Sequence, residues 1–113
     1  MWLFTTIGFF SVVQKSGTDF LTIRARSKTD LDNLRSKYLP ELSATVSGSG
    51  TDYPFRGKVS HSVFADAMVK MVADIKYDNF KSEVDRKMGH ERERIYSDVW
   101  RSLRKIENEK ASR

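Results

Sequence analysis

Phe20-Leu21-Thr22-Ile23-Arg24-Ala25-Arg26 alternates without a break: Leu21, Ile23 and Ala25 fall on one side of an extended chain, and Phe20, Thr22, Arg24 and Arg26 on the other. A period of two is that of a β-strand with one face covered and one face wet, the ordinary state of a strand in an antiparallel sheet. The apolar side asks for a cover. The other side carries a pair of arginines toward solvent, so this stretch predicts a two-layer α+β domain with an open sheet face.

Toward the N-terminus, residues 2–15 are aromatic and β-branched and are interrupted at Gly8, which predicts one bent strand or two short ones. Gly17-Thr18-Asp19 supplies the turn that hairpins this segment to residues 20–26. The same N-terminal run does not read as a leader. No basic residue precedes its apolar part, no small-residue cleavage site follows, and Thr5, Thr6 and Gly8 break it. It is expected to be a buried strand.

Toward the C-terminus, Ser27 or Thr29 caps a helix with Leu31, Leu34 and Tyr38 at helical spacing and Asp30 and Asp32 in its first turn; Pro40 stops it. Ala44-Thr45-Val46 leads into Ser47-Gly48-Ser49-Gly50. Residues 51–60 then alternate again, with Phe55, Gly57 and Val59 opposite Arg56, Lys58 and Ser60, and this predicts a second hairpin. Ser60 or Ser62 opens the most regular helix, whose stripe Phe64, Met68, Met71, Val72 and Ile75 is expected to be core. Tyr77-Asp78-Asn79-Phe80 links to a short helix over 81–88 halted by Gly89, and a last helix from about Glu91 sets Ile95, Val99, Leu103 and Ile106 in register. The resulting β-β-α-β-β-α order predicts a ferredoxin-like antiparallel sheet with helices on one face and a C-terminal helical extension. One domain is expected over 1–113: a core over 1–76, the extension over 77–108 and a frayed tail over 109–113.

At 113 residues and 39% apolar content the chain can bury one modest core. It has no cysteine, which excludes a disulfide framework, a thiolate nucleophile and the common Cys/His zinc sites, and fits a reducing cytoplasm. The net charge of +5 favours an anionic partner: a nucleic acid, a nucleotide or an acidic protein. Residues 1–76 carry ten Lys and Arg against seven Asp and Glu, and residues 77–113 ten against eight, so any basic patch must be made by folding.

Parity makes one. Arg24 and Arg26 lie opposite Leu21 and Ile23, and Arg56 and Lys58 lie opposite Phe55 and Val59; if both apolar sets face the helices, the cations converge on the open side. Phe20 shares that side and Tyr53 stands just before Arg56, giving a basic surface with aromatic stacking partners suited to a single strand or a nucleotide. Arg24, Arg26, Tyr53, Arg56 and Lys58 are therefore the candidate binding residues. The competing explanation is that arginine and lysine stems simply clothe a solvent-facing sheet. His61 and His90 are the only imidazoles and the only candidate general bases of an enzyme reading, and neither sits in a motif with a nucleophile. No residues are at metal-ligand spacing, no cofactor is implied, and the Ser/Gly run lacks the lysine and following helix of a phosphate loop. A third reading makes the helical extension, with Tyr96 and Trp100 on a second face, a cover for the sheet or a homodimer contact.

The segments Trp2-Leu3-Phe4-Thr5-Thr6, Gly8-Phe9-Phe10-Ser11-Val12-Val13-Gln14-Lys15, Thr51-Asp52-Tyr53-Pro54-Phe55-Arg56, Asp74-Ile75 with Tyr77, Asn79, Phe80 and Lys81, and Tyr96 with Val99-Trp100 together resemble a family of small bacterial proteins with no established activity. The resemblance spans nearly the whole chain. It implies a bacterial cytoplasmic origin and a self-contained domain and supplies no mechanism. Its Asp52-Tyr53-Pro54-Phe55-Arg56 motif borders the basic face, where packing roles stay open: Asp52 pairing with Arg56 or capping the turn, Pro54 fixing the approach to the strand, Phe55 in the core. The leading expectation is a non-enzymatic binding or regulatory domain, followed by a protein-interaction or homodimerising module, then an enzyme using His61 or His90.

Overall fold

The computed structural model describes residues 1–48 and 51–109. Ser49 and Gly50 of the Ser/Gly turn, and residues 110–113 of the expected frayed tail, lie outside the described residues. The chain divides into two compact units, Met1–Lys76 and Tyr77–Arg113.

The first unit holds a five-stranded sheet, β1 (Trp2–Thr5), β2 (Gly8–Val13), β3 (Leu21–Ala25), β4 (Val46–Ser47) and β5 (Phe55–Val59), with α1 (Lys28–Lys37) and α2 (His61–Ala73). The N-terminal segment is two strands folded at Thr6-Ile7, with Thr5 opposite Gly8. The Thr5 hydroxyl closes this turn: it donates to the Gly8 carbonyl at 2.7 Å and accepts from the backbone N–H groups of Ile7 and Gly8. A Cβ on Gly8 would stand 2.7 Å from the Asp30 side chain, and that close approach lets the Asp30 carboxylate accept the Phe9 N–H at 3.0 Å.

The strand order is β1-β2-β3-β5-β4 and every neighbouring pair is antiparallel. This corrects the expected ferredoxin-like layout. That layout rests on split β-α-β units, whereas here β1, β2 and β3 form a meander and α1 carries the chain past β5 to the far edge. The α+β class, the antiparallel sheet and the second hairpin stand, although β4 is only two residues long.

One core joins the sheet to the helices: Phe10 and Val12 of β2, Ile23 and Ala25 of β3, Val59 of β5, Leu31 and Leu34 of α1, and Phe64 and Ala67 of α2. Leu39 and Leu42, in the loop after α1, complete it. Gly57 makes room for the second of these, since a Cβ there would stand 2.9 Å from Leu42 Cδ1. Ser60 rather than Ser62 caps α2, its hydroxyl accepting the Val63 N–H at 3.3 Å. The expected α2 stripe is core only in part. Phe64 and Ala67 are buried and Met68 and Met71 pack on the core, but Val72 and Ile75 sit off that arc and are exposed, as is Val69.

The second unit is a helical hairpin, α3 (Phe80–Met88) and α4 (His90–Leu103), turning at Gly89 in a positive-φ conformation and running into a 3-10 turn, Arg104–Asn108. Asn79 caps α3 by accepting the Ser82 N–H at 2.9 Å. Within α3, hydrogen bonding from Arg86 holds the Glu83 carboxyl below its ordinary range. The expected register of α4 is corrected here. Ile95, Leu103 and Ile106 are exposed, while Tyr96 and Ser97 are buried, because Phe80 stacks on Tyr96 with centroids 5.8 Å apart and planes 5° apart.

Candidate functional site

The face of the sheet opposite the helices is set by the register. Trp2 lies opposite Ser11, Ser11 opposite Arg24, Arg24 opposite Arg56, and Arg56 opposite Val46, forming one row across all five strands. Lys58 lies opposite Thr22, one row to one side, and Arg26 follows β3 on the other. The four cations expected from parity therefore share a surface, with Arg24 and Arg56 half-buried and Arg26 and Lys58 exposed.

Charges of one sign set directly opposite on adjacent strands repel, so the Arg24–Arg56 pair calls for compensation. No carboxylate among the described residues forms an ion pair with Arg24, Arg26, Arg56 or Lys58. Asp52, the partner considered for Arg56, is exposed and does not pair with it. The compensation is made by aromatic rings and neutral oxygens instead. The Arg24 guanidinium carbon lies 4.5 Å from the Tyr53 ring centroid and that of Arg26 lies 4.9 Å from it. Arg24 Nη2 donates to Ser11 Oγ at 2.7 Å, and Arg56 Nε donates to the Tyr53 carbonyl at 3.1 Å. Lys58 Nζ stands 5.0 Å from the Phe20 ring. Arg24 Nε is buried with no hydrogen-bond partner, so this guanidinium sits in a partly dehydrated seat.

Beside the cations lies an aromatic row that sequence reasoning missed. Phe9 stacks on Phe4 at 4.5 Å, meets Trp2 edge-on at 5.7 Å, and stands 6.5 Å from Tyr53. Tyr53 is only 6% exposed, while Trp2, on the edge strand, is 65% exposed. The signal for this row was present in the two-residue turn at Thr6-Ile7. Once β1 folds back on β2, Trp2, Phe4, Phe9 and Ser11 share a face and Leu3, Phe10 and Val12 share the other.

His61 opens α2 and is exposed. His90 opens α4 in the other unit, where the helical turn brings it carboxylate neighbours that spacing had not suggested: its Nδ1 is 3.5 Å from Asp85 and 3.7 Å from Glu93. Ser97 donates to the opposite oxygen of Glu93, which puts the carboxylate between hydroxyl and imidazole, so His90 is not in line to take the serine proton. No group of three or more His, Cys, Asp and Glu side chains among the described residues is placed to hold a metal ion. No described helix is long and apolar enough to cross a membrane.

Comparison of the chain with protein-family models, with curated proteins and with solved structures finds no match. The reading of the site therefore rests on its own residues, and the family resemblance adds nothing to it.

Proposed function

We propose that the chain is a non-enzymatic binding domain whose open sheet face holds single-stranded nucleic acid in the cytoplasm. The observation that carries this reading is a set of cations without carboxylate partners among the described residues, Arg24, Arg26, Arg56 and Lys58, lying beside a continuous row of aromatic rings. Proteins that hold single strands with little sequence preference combine these two elements, cations for the backbone and rings for the bases.

Spacing favours a strand over a lone nucleotide. Arg24 and Arg56 are level, Arg26 is two residues along β3 in one direction, and Lys58, level with Thr22, is two residues in the other. Two residues of strand span about 7 Å, a step comparable with that between successive phosphates of an extended single strand. The backbone then follows β3 and β5 and the bases turn toward Phe4, Phe9 and the exposed Trp2. Binding of this kind weakens steeply with salt.

The test is binding of fluorescent single-stranded RNA and DNA at low and moderate salt, comparing the native chain with an Arg24→Ala, Arg26→Ala, Arg56→Ala variant of unchanged circular dichroism. Salt-sensitive binding that the variant loses supports the reading; no binding at low salt overturns it. The exposed apolar residues Ile95, Leu103 and Ile106 favour a second reading, a homodimer contact through the last helix, which predicts a mass that rises with concentration.

A further inference from the structure

Three arginines of the open face meet at one residue. The Tyr53 ring lies against the guanidinium groups of Arg24 and Arg26 at 4.5 and 4.9 Å, and the Tyr53 carbonyl accepts from Arg56 Nε at 3.1 Å. Tyr53 is 6% exposed and can therefore offer little of its ring to a ligand. Its position comes from the backbone: Thr51 Oγ1 donates to the same carbonyl at 2.9 Å, and Pro54 leads directly into β5.

The geometry points to Tyr53 as a positioning residue that presets Arg24, Arg26 and Arg56 as a seat for the phosphodiester groups of a single strand. This rests on the reading of the face as a nucleic-acid surface and deepens it: phosphate, rather than any base, is what the centre of the face recognises. An arginine free in water gives up side-chain entropy when it closes on a phosphate. Here that entropy is already lost on folding, because one ring and one carbonyl hold three long side chains. Apart from the buried Arg24 Nε, the unfilled donors of Arg24 and Arg56 are those that suit an anion. Arg24 spends Nη2 on Ser11 and Arg56 spends Nε on Tyr53, leaving Nη1 of Arg24 and both terminal nitrogens of Arg56 with no acceptor among the described residues. The free Nη1–Nη2 edge of Arg56 matches the paired oxygens of a phosphodiester, and Arg24 Nη1 adds a single donor beside it.

The test uses the full chain and a fluorescent single-stranded oligonucleotide, with affinity measured across a series of salt concentrations. Tyr53→Leu keeps every charge but removes the ring. It is expected to lower affinity about tenfold, the equivalent of two cation–π contacts, and to flatten the dependence of log affinity on log salt although net charge is unchanged. Tyr53→Phe is expected to restore both, since only the ring and the backbone carbonyl are used. Should Tyr53→Leu fail to fold, the double variant Arg24→Lys, Arg56→Lys asks the same question, because lysine conserves charge without the planar fork; the same flattening is expected. A Tyr53→Leu or double-lysine variant with native affinity and salt dependence overturns the preset seat while leaving the nucleic-acid reading intact. Failure of the native chain to bind the oligonucleotide at low salt overturns that reading. Separate titrations with inorganic phosphate and with a mononucleotide, each expected to bind far more weakly than the oligonucleotide, distinguish a strand seat from a small-anion site; equal affinity for free phosphate overturns the strand assignment.

Discussion

On β3, Ile23 and Ala25 are fully buried on one side of the sheet, while their chain neighbours Arg24 and Arg26 carry two charges on the other, without carboxylate partners among the described residues. The two faces are made from alternate residues of the same strands, yet they are held by different physics. On the helix face, fit decides: Leu31, Leu34, Leu39, Leu42 and Phe64 close over Phe10 and Ile23, and Gly57 is needed because Leu42 occupies the space of a side chain. On the open face, Arg24 stands opposite Arg56, and rings, a hydroxyl and a carbonyl replace the acids that would neutralise them. A surface whose task was stability alone would gain from a glutamate at one of these positions, because opposite charges across a strand pair attract. The difference teaches that the open face carries a feature that stability does not require.

That contrast breaks first on the helix side. Phe10→Ala removes a ring that is 1% exposed at the centre of the core and is expected to cost about 3–5 kcal/mol, read as a lowered denaturant midpoint. A loss under about 1 kcal/mol would mean that the helices do not close on the sheet. Gly57→Ala tests fit at a single contact. Its methyl would stand 2.9 Å from Leu42 Cγ and Cδ1, and the expected cost is about 1–3 kcal/mol. Combining it with Leu42→Ala sharpens the point, because the two losses should sum to more than the loss of the double variant if the leucine is what the glycine admits.

The same contrast explains how much the sequence disclosed. The basic side of β3 and β5 was legible because both strands alternate strictly, and a period of two fixes the face of every residue once one face is assigned. The neighbouring aromatic row was not. Residues 2–15 are apolar on both faces, so Trp2, Phe4 and Phe9 read as core until the turn at Thr6-Ile7 assigned them to the outside. Leu39 and Leu42 were missed because they follow α1 in irregular chain, where no period marks burial. The register of α4 went wrong for a related reason. Ile95, Val99, Leu103 and Ile106 are as well spaced as Tyr96 and its neighbours, and the stacking of Phe80 on Tyr96, a tertiary contact, chose between them. The strand order escaped because β3 pairs with β5 across the intervening α1 and β4, a long-range pairing that propensity does not describe.

The smallest effect on stability is expected on the open face and separates the two faces most directly. Arg56→Ala removes a half-buried side chain that stands opposite Arg24 and has no carboxylate partner among the described residues. It loses one hydrogen bond to the Tyr53 carbonyl and is relieved of one like-charge contact. These terms oppose each other, and the net change in unfolding free energy should lie within about 0.5 kcal/mol of zero, as for surface sites in general. Oligonucleotide binding should respond differently. Loss of one phosphate contact weakens binding to all sequences alike and reduces the salt slope by about one. A variant that is as stable as the native chain and binds less tightly separates the roles of the two faces. If instead Arg56→Ala destabilises as much as Gly57→Ala, the guanidinium is a packing element of the sheet, and the contrast between the faces loses its functional meaning.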